Sequence, residues 1–211
     1  MSIASMMRRL SMWLVLLPCA AAWAQAPAAE SELLFRDVRV LDTVRGTLGA
    51  PTDVLVRGNR IAAIGAGARP SASADVVEGR GRTLMPGLID AHWHSTFTAL
   101  SQAAMTAPGT TPESLAAAVA AESGRTLLRG FTSVRDVGGP IFELKAAIDA
   151  GKVAGPRIWP SGATISQTSG HGDMRQPHER SRRFFGKPSM AEEMGATFIA
   201  DGRDEVLTAV R

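Results

Sequence analysis

The sequence predicts an α/β protein in which a small all-strand segment precedes strands that alternate with helices. Three observations predict it. Short apolar runs separated by turn residues fill 33–85, and from Pro86 the apolar runs alternate with longer stretches of helical spacing. A His-x-His pair, His92 and His94, closes the first of these later runs. Strand–helix alternation argues for a parallel sheet or an α/β barrel.

The chain has 211 residues, 45% hydrophobic and 20% charged, which is enough apolar material for a packed core. Its 21 Gly and 12 Pro follow no period, so they mark turns rather than a collagen-like repeat. The net charge is +3, and Arg8 and Arg9 supply two of those charges in a segment expected to be removed. A nucleic-acid footprint is therefore not supported. The remaining basic cluster, Arg180, Arg182 and Arg183, reads as a solvated loop between Pro177 and Gly186.

The first 24 residues read as a signal peptide. Met6 to Arg9 is a basic n-region and Leu10 to Ala24 an apolar stretch too short to span a bilayer comfortably. Ala22-Trp23-Ala24 offers small residues at the two positions a signal peptidase reads. The expectation is an exported protein, periplasmic or secreted, with no membrane anchor after cleavage. Cys19, the only cysteine, would leave with the leader. The mature protein must then hold together without disulfides, and any metal must rest on His and carboxylate ligands.

Residues 25–32 read as a Pro- and Ala-rich linker. In 33–85, Leu34, Val38, Val40 and Leu41 begin an extended segment. Val54 to Val56 and Ile61 to Ile64 are two further runs, with Arg57-Gly58-Asn59-Arg60 as a tight hairpin between them. Val76-Val77 and Thr83 to Met85 complete a set of antiparallel strands.

Beyond Pro86, Leu88 to Ala91 is a short apolar strand. Thr111-Pro112-Glu113 opens a helix, with Thr111 as cap and Pro112 in the first turn, that runs to Gly130. Phe131 to Val137 is the next strand, and a helix carrying Ile141, Leu144 and Ile148 follows, closed by Gly151. Arg157 to Ile165 is a third strand. A polar stretch from Ser166 to Pro188 comes next, and Asp201 or Asp204 starts a last helix. A full α/β barrel needs about 250 residues, so 86–211 is expected to be the first half of one, truncated at Arg211.

The motif with chemical content is Pro86-Gly87-Leu88-Ile89-Asp90-Ala91-His92-Trp93-His94. Alternate residues of a strand share a face, so both imidazoles point one way. Two nitrogen donors at the carboxyl end of a barrel strand suit a divalent metal.

The stretch from Leu84 to Ser95 (LMPGLIDAHWHS), preceded by short strands, resembles the opening of the amidohydrolase superfamily. Arg129 to Asp136 looks like that family's second barrel strand. Gly155 to Ile158, then Ile165 to Asp173 (ISQTSGHGD), looks like the third strand and loop of its imidazolonepropionase-like and Xaa-Pro dipeptidase-like branch. The resemblance implies a (β/α)8 barrel, here its first three or so βα units, preceded by part of a β-sandwich. It makes His92 and His94 the first two ligands of one or two divalent ions, zinc above all. His171 falls in a loop where Ser169 replaces the usual glycine, and is assigned to substrate contact, with a structural loop hydrogen bond as the alternative. Asp90 and Asp136 match family positions and are read as strand-end hydrogen-bond acceptors. His178 is read as solvent-exposed, and Asp173 as a neighbour of the mouth with no role assigned.

The implied activity is hydrolysis of an amide, dipeptide or cyclic-amide C–N bond by a metal-activated water. Oligomerisation is left open. The family's remaining ligands, a lysine or glutamate, two histidines and an aspartate, lie on the fourth to eighth strands. Lys145, Lys152 and Lys187 do not match that lysine. No catalytic residue is expected within these 211 residues, and the chain alone is expected to be inactive. The competing expectations are a non-catalytic secreted binding module and an inactive truncated product.

Overall fold

The computed structural model describes residues 30–105 and 107–211. The signal peptide expected over 1–24, and the linker as far as residue 29, lie outside the described residues. The chain divides into two compact units, Met1–Leu84 and Met85–Arg211.

In the first unit, β1 (Glu32–Asp42), β2 (Thr47–Arg57), β3 (Arg60–Ile64) and β4 (Asp75–Leu84) form one sheet in the order β3-β2-β1-β4. The two central strands bury Leu34, Val38, Val54 and Leu55. Full burial of such side chains contributes about 1.5–3 kcal/mol each. The β2–β3 hairpin turns on Gly58 and Asn59, with Arg57 paired to Arg60. Gly58 takes the left-handed conformation, φ +56°, that two-residue hairpins favour.

Two expectations change in this unit. The strands are not all antiparallel, because β4 runs parallel to β1. β3 and β4 therefore point the same way from opposite edges, and residues 65–74 carry the chain across the sheet. Val76-Val77 and Thr83-Leu84 also belong to one bulged strand rather than two. At the bulge Asp37 and Arg80 adopt positive φ, and Gly79 lies so close to β1 that a Cβ would strike Val38 and the Asp37 carbonyl oxygen. The described residues of this unit supply one sheet layer, where a sandwich needs two.

In the second unit, β5 (Leu88–Trp93), β6 (Phe131–Asp136) and β7 (Arg157–Pro160) form a parallel sheet in chain order. Two short helices, α1 (Ser95–Ala99) and α2 (Gln102–Met105), follow β5, and then α3 (Pro112–Leu128) leads to β6. The Thr111 hydroxyl accepts from Ser114 N–H, and the Ser114 side chain accepts from Thr111 N–H, closing a capping box at the start of α3. Gly130, at φ +94°, ends the turn that follows. α4 (Phe142–Asp149) connects β6 to β7. Val119, Val134, Ile141 and Ile158 make the core, with Trp93, Ala99, Leu144 and Ile148 packed around them.

The third strand expected over Arg157–Ile165 is broken. β7 stops at Pro160, which has no N–H for the ladder, and Gly162 turns the chain at φ +84°. The second half becomes β8 (Thr164–Ser166), which pairs in parallel with β9 (Thr197–Ile199) as a separate two-stranded sheet. α5 (Arg182–Phe185) interrupts the polar stretch, α6 (Met190–Glu193) precedes β9, and α7 (Arg203–Val210) ends the chain. The basic cluster is accordingly not a plain solvated loop. Arg182 begins α5, sits 5.2 Å from the Phe198 ring centroid and pairs with Glu192 at 3.4 Å, while Arg180 covers Phe185 at 4.7 Å.

Candidate metal and substrate site

The site is built at the carboxyl end of β5. Trp93 packs against the core, so strand alternation turns its neighbours His92 and His94 the other way. Both line a cavity of about 1020 Å³. Their ring centroids lie 5.3 Å apart with the planes at 72°. His94 also leans on Phe97 at 5.5 Å. Its Nδ1 lies 3.4 Å from the Gly138 carbonyl oxygen, a long contact that becomes a hydrogen bond when the ring carries its proton on Nδ1, since the carbonyl can only accept. A ligating imidazole commonly uses its second nitrogen in this way, leaving Nε2 for the metal.

Carboxylates fix the backbone around the pair. Asp90 Oδ1 accepts from His92 N–H at 2.9 Å. Asp136, at the end of β6 and 1% exposed, accepts from Ser95 N–H at 2.8 Å and from Gly138 N–H at 3.2 Å. Both serve as hydrogen-bond acceptors at or near strand ends.

His171 reaches the same cavity from the loop after β8. Two carboxylates hold that loop. Asp173 accepts from Ser169 N–H at 2.7 Å and from Arg175 Nε at 2.7 Å. The Arg175 guanidinium beside it holds the Asp173 carboxyl at about 2, well below the usual 3.8, against the opposing effect of burial. Asp201 accepts from both the backbone and the hydroxyl of Thr168, which lowers its carboxyl from its ordinary value. Ser169, standing where glycine is usual in the resembled loop, is left-handed at φ +61°. That conformation costs a residue with a Cβ about 1–2 kcal/mol, a physical reason for glycine there.

The structure thus brings His92, His94 and His171 onto one cavity, with Phe97, Met174 and Gln176 also on its wall. His178 is exposed and does not line this cavity. Asp173 points into its own loop rather than into the mouth. Among the described residues no group of three or more His, Cys, Asp and Glu is placed to hold a metal. The pair offers two nitrogen donors, one fewer than the three protein ligands usual in catalytic zinc sites. Sequence reasoning missed Asp201 and the part played by Asp173. Both act on main-chain amides, which leave no spacing signal.

Parallel βα units with a pair of imidazoles at the end of one strand define the class: part of an α/β fold with nitrogen donors at the carboxyl end of its sheet. The chain belongs to the amidohydrolase family, whose profile matches residues 83–207. It is 37% identical to an ochratoxinase of Aspergillus niger over 140 residues, covering 61% of this chain and 28% of that protein. Its fold resembles the crystal structure of a prolidase complexed with N-methylphosphonate-L-proline, with TM-score 0.71 and 32% identity over 86% of this chain and 43% of that one. It also resembles a Xaa-Pro dipeptidase with bound methionine, with TM-score 0.66 and 31% identity over 86% of this chain and 44% of that one. The chain thus spans less than half the length of each of these relatives.

Proposed function

We propose that this chain contributes the first metal-binding pair and one substrate-facing histidine to a hydrolase acting on C–N bonds of small amides or dipeptides. The observation that carries the reading is the alternation at the end of β5, with Trp93 packed against the core and both flanking imidazoles on the large cavity. His92 and His94 would hold a divalent ion, and an all-imidazole pair suits zinc. When bound, such an ion supplies Lewis-acid polarisation and a nucleophilic water at neutral pH. The protein's own residues do the remainder. Asp90 and Asp136 fix the backbone on either side of the pair, and the Asp173 and Asp201 carboxylates hold the loop from which His171 meets the substrate. The likeness to an ochratoxinase and to Xaa-Pro dipeptidases supports an amide-type substrate.

The leader composition of residues 1–24 supports export, which brings dipeptides from outside the cell within reach. Among the described residues no helix is long and apolar enough to cross a membrane.

The test is hydrolysis of dipeptides with C-terminal proline and of N-acyl amino acids by the longest form the gene encodes, with a chelator and zinc add-back. Turnover should vanish with chelator and return with zinc, and His171→Ala should raise KM more than it lowers kcat. Turnover indifferent to chelator would refute the metal. Substrate binding without any turnover would point to a non-catalytic binding module.

A further inference from the structure

We propose that Asp136 is a positioning residue for His94, setting both the direction and the tautomer of that ring through two main-chain tethers. The inference rests on the reading of His94 as a ligand, but its geometry stands independently. The Asp136 side chain is nearly inaccessible, and each oxygen has its own donor. Oδ2 takes Ser95 N–H, the amide immediately after His94, and Oδ1 takes Gly138 N–H. Gly138 in turn offers its carbonyl oxygen to His94 Nδ1. One carboxylate thus holds the backbone on which the ring is mounted and the peptide that receives the ring's N–H.

Three further features fit this arrangement. β5 and β6 pair at Trp93 and Asp136, and Val137 N–H donates to the Trp93 carbonyl, so the tether spans adjacent strand ends. Gly138 has no room for a side chain, since a Cβ there would strike Thr164 and come within 3.5 Å of the His94 ring. Ser95 is the first residue of α1, where an N–H has no partner inside the helix, and Asp136 satisfies it. Two acceptor oxygens facing two donors suit a carboxylate and no other short side chain. An asparagine would turn its NH2 towards one of the N–H groups and lose that tether.

The consequence is that the Gly138 carbonyl selects the Nδ1–H form of His94 and leaves the Nε2 lone pair for the cavity. Partners of this kind commonly change metal affinity about 10- to 100-fold when removed.

The experiment compares the full chain with Asp136→Asn and Ser95→Pro. Proline is tolerated at the first helical position, so the second variant deletes one tether while keeping Asp136. The readouts are the His94 tautomer in the metal-free protein, from long-range ¹H–¹⁵N NMR, and zinc affinity by competition with a chromophoric chelator. The wild type should show predominantly Nδ1–H at His94. Asp136→Asn should give a tautomer mixture and about 10- to 100-fold weaker zinc binding with the fold retained by circular dichroism. Ser95→Pro should shift both readouts the same way by less. A folded Asp136→Asn with wild-type tautomer and zinc affinity would overturn the proposal and leave Asp136 as a structural acceptor only. If Asp136→Asn does not fold, wild-type signals in Ser95→Pro overturn it instead. If the wild type takes up no zinc, the ligand reading fails, while the tautomer readout still decides the positioning role.

Discussion

Replacing Arg175 with alanine tests how the loop bearing His171 is held. The Asp173 side chain is only 4% exposed and its carboxyl sits at about 2 instead of 3.8, chiefly through the Arg175 guanidinium. That displacement corresponds to roughly 2 kcal/mol of folding stability, at about 1.4 kcal/mol per unit. The folded-state value is the depressed one. The stabilisation is therefore fully present above 3.8 and is lost as the pH falls through about 2. Ser169 N–H remains as a partner in the variant, so Arg175→Ala should cost about 1–2 kcal/mol at neutral pH. By pH 3 the unfolded-state carboxyl is mostly protonated, and the gap between wild type and variant should have narrowed by about half. Urea denaturation followed by fluorescence of Trp93 and Trp159, both in the second unit, measures this. Equal midpoints at neutral pH would refute the ion-pair account. A gap unchanged between pH 7 and pH 3 would show that Arg175 acts through packing instead.

Two further outcomes follow from the core and the helix cap. Ile158→Ala removes a buried side chain of β7 from the core cluster and should cost about 2–5 kcal/mol in the same denaturation assay. A loss below 1 kcal/mol would mean that this core is loosely packed. Thr111→Ala removes the acceptor for Ser114 N–H and should cost about 1 kcal/mol, read as a lower melting temperature by circular dichroism at 222 nm. An unchanged melt would show that water serves that amide equally well.

The βα rhythm of the second unit was legible because each element carries its own local signal. Thr111 and Pro112 open α3, Gly130 follows it, and apolar runs mark β5 and β6. The His-x-His pair was legible because strand alternation is a property of neighbouring residues. What escaped depends on partners distant in sequence. β9 has three residues, Thr197 to Ile199, and exists as a strand only through β8, more than 30 positions earlier. The break after Pro160 follows from proline chemistry, but the apolar residues on both sides of it read as one run. The parallel course of β4 comes from a crossover that composition does not mark. Asp136 spans 41 positions to Ser95, and Asp201 spans 33 to Thr168. An aspartate that accepts from a main-chain amide looks, in sequence, like any other aspartate.

The central claim concerns two rings at the end of one strand, and zinc titration of the purified protein followed by histidine ring NMR addresses it directly. Added zinc should shift the His92 and His94 resonances and leave exposed His178 unmoved, and His92→Ala or His94→Ala should weaken binding at least about tenfold. Zinc uptake unchanged in both variants, or sensed at His178 and not at the pair, would contradict the account.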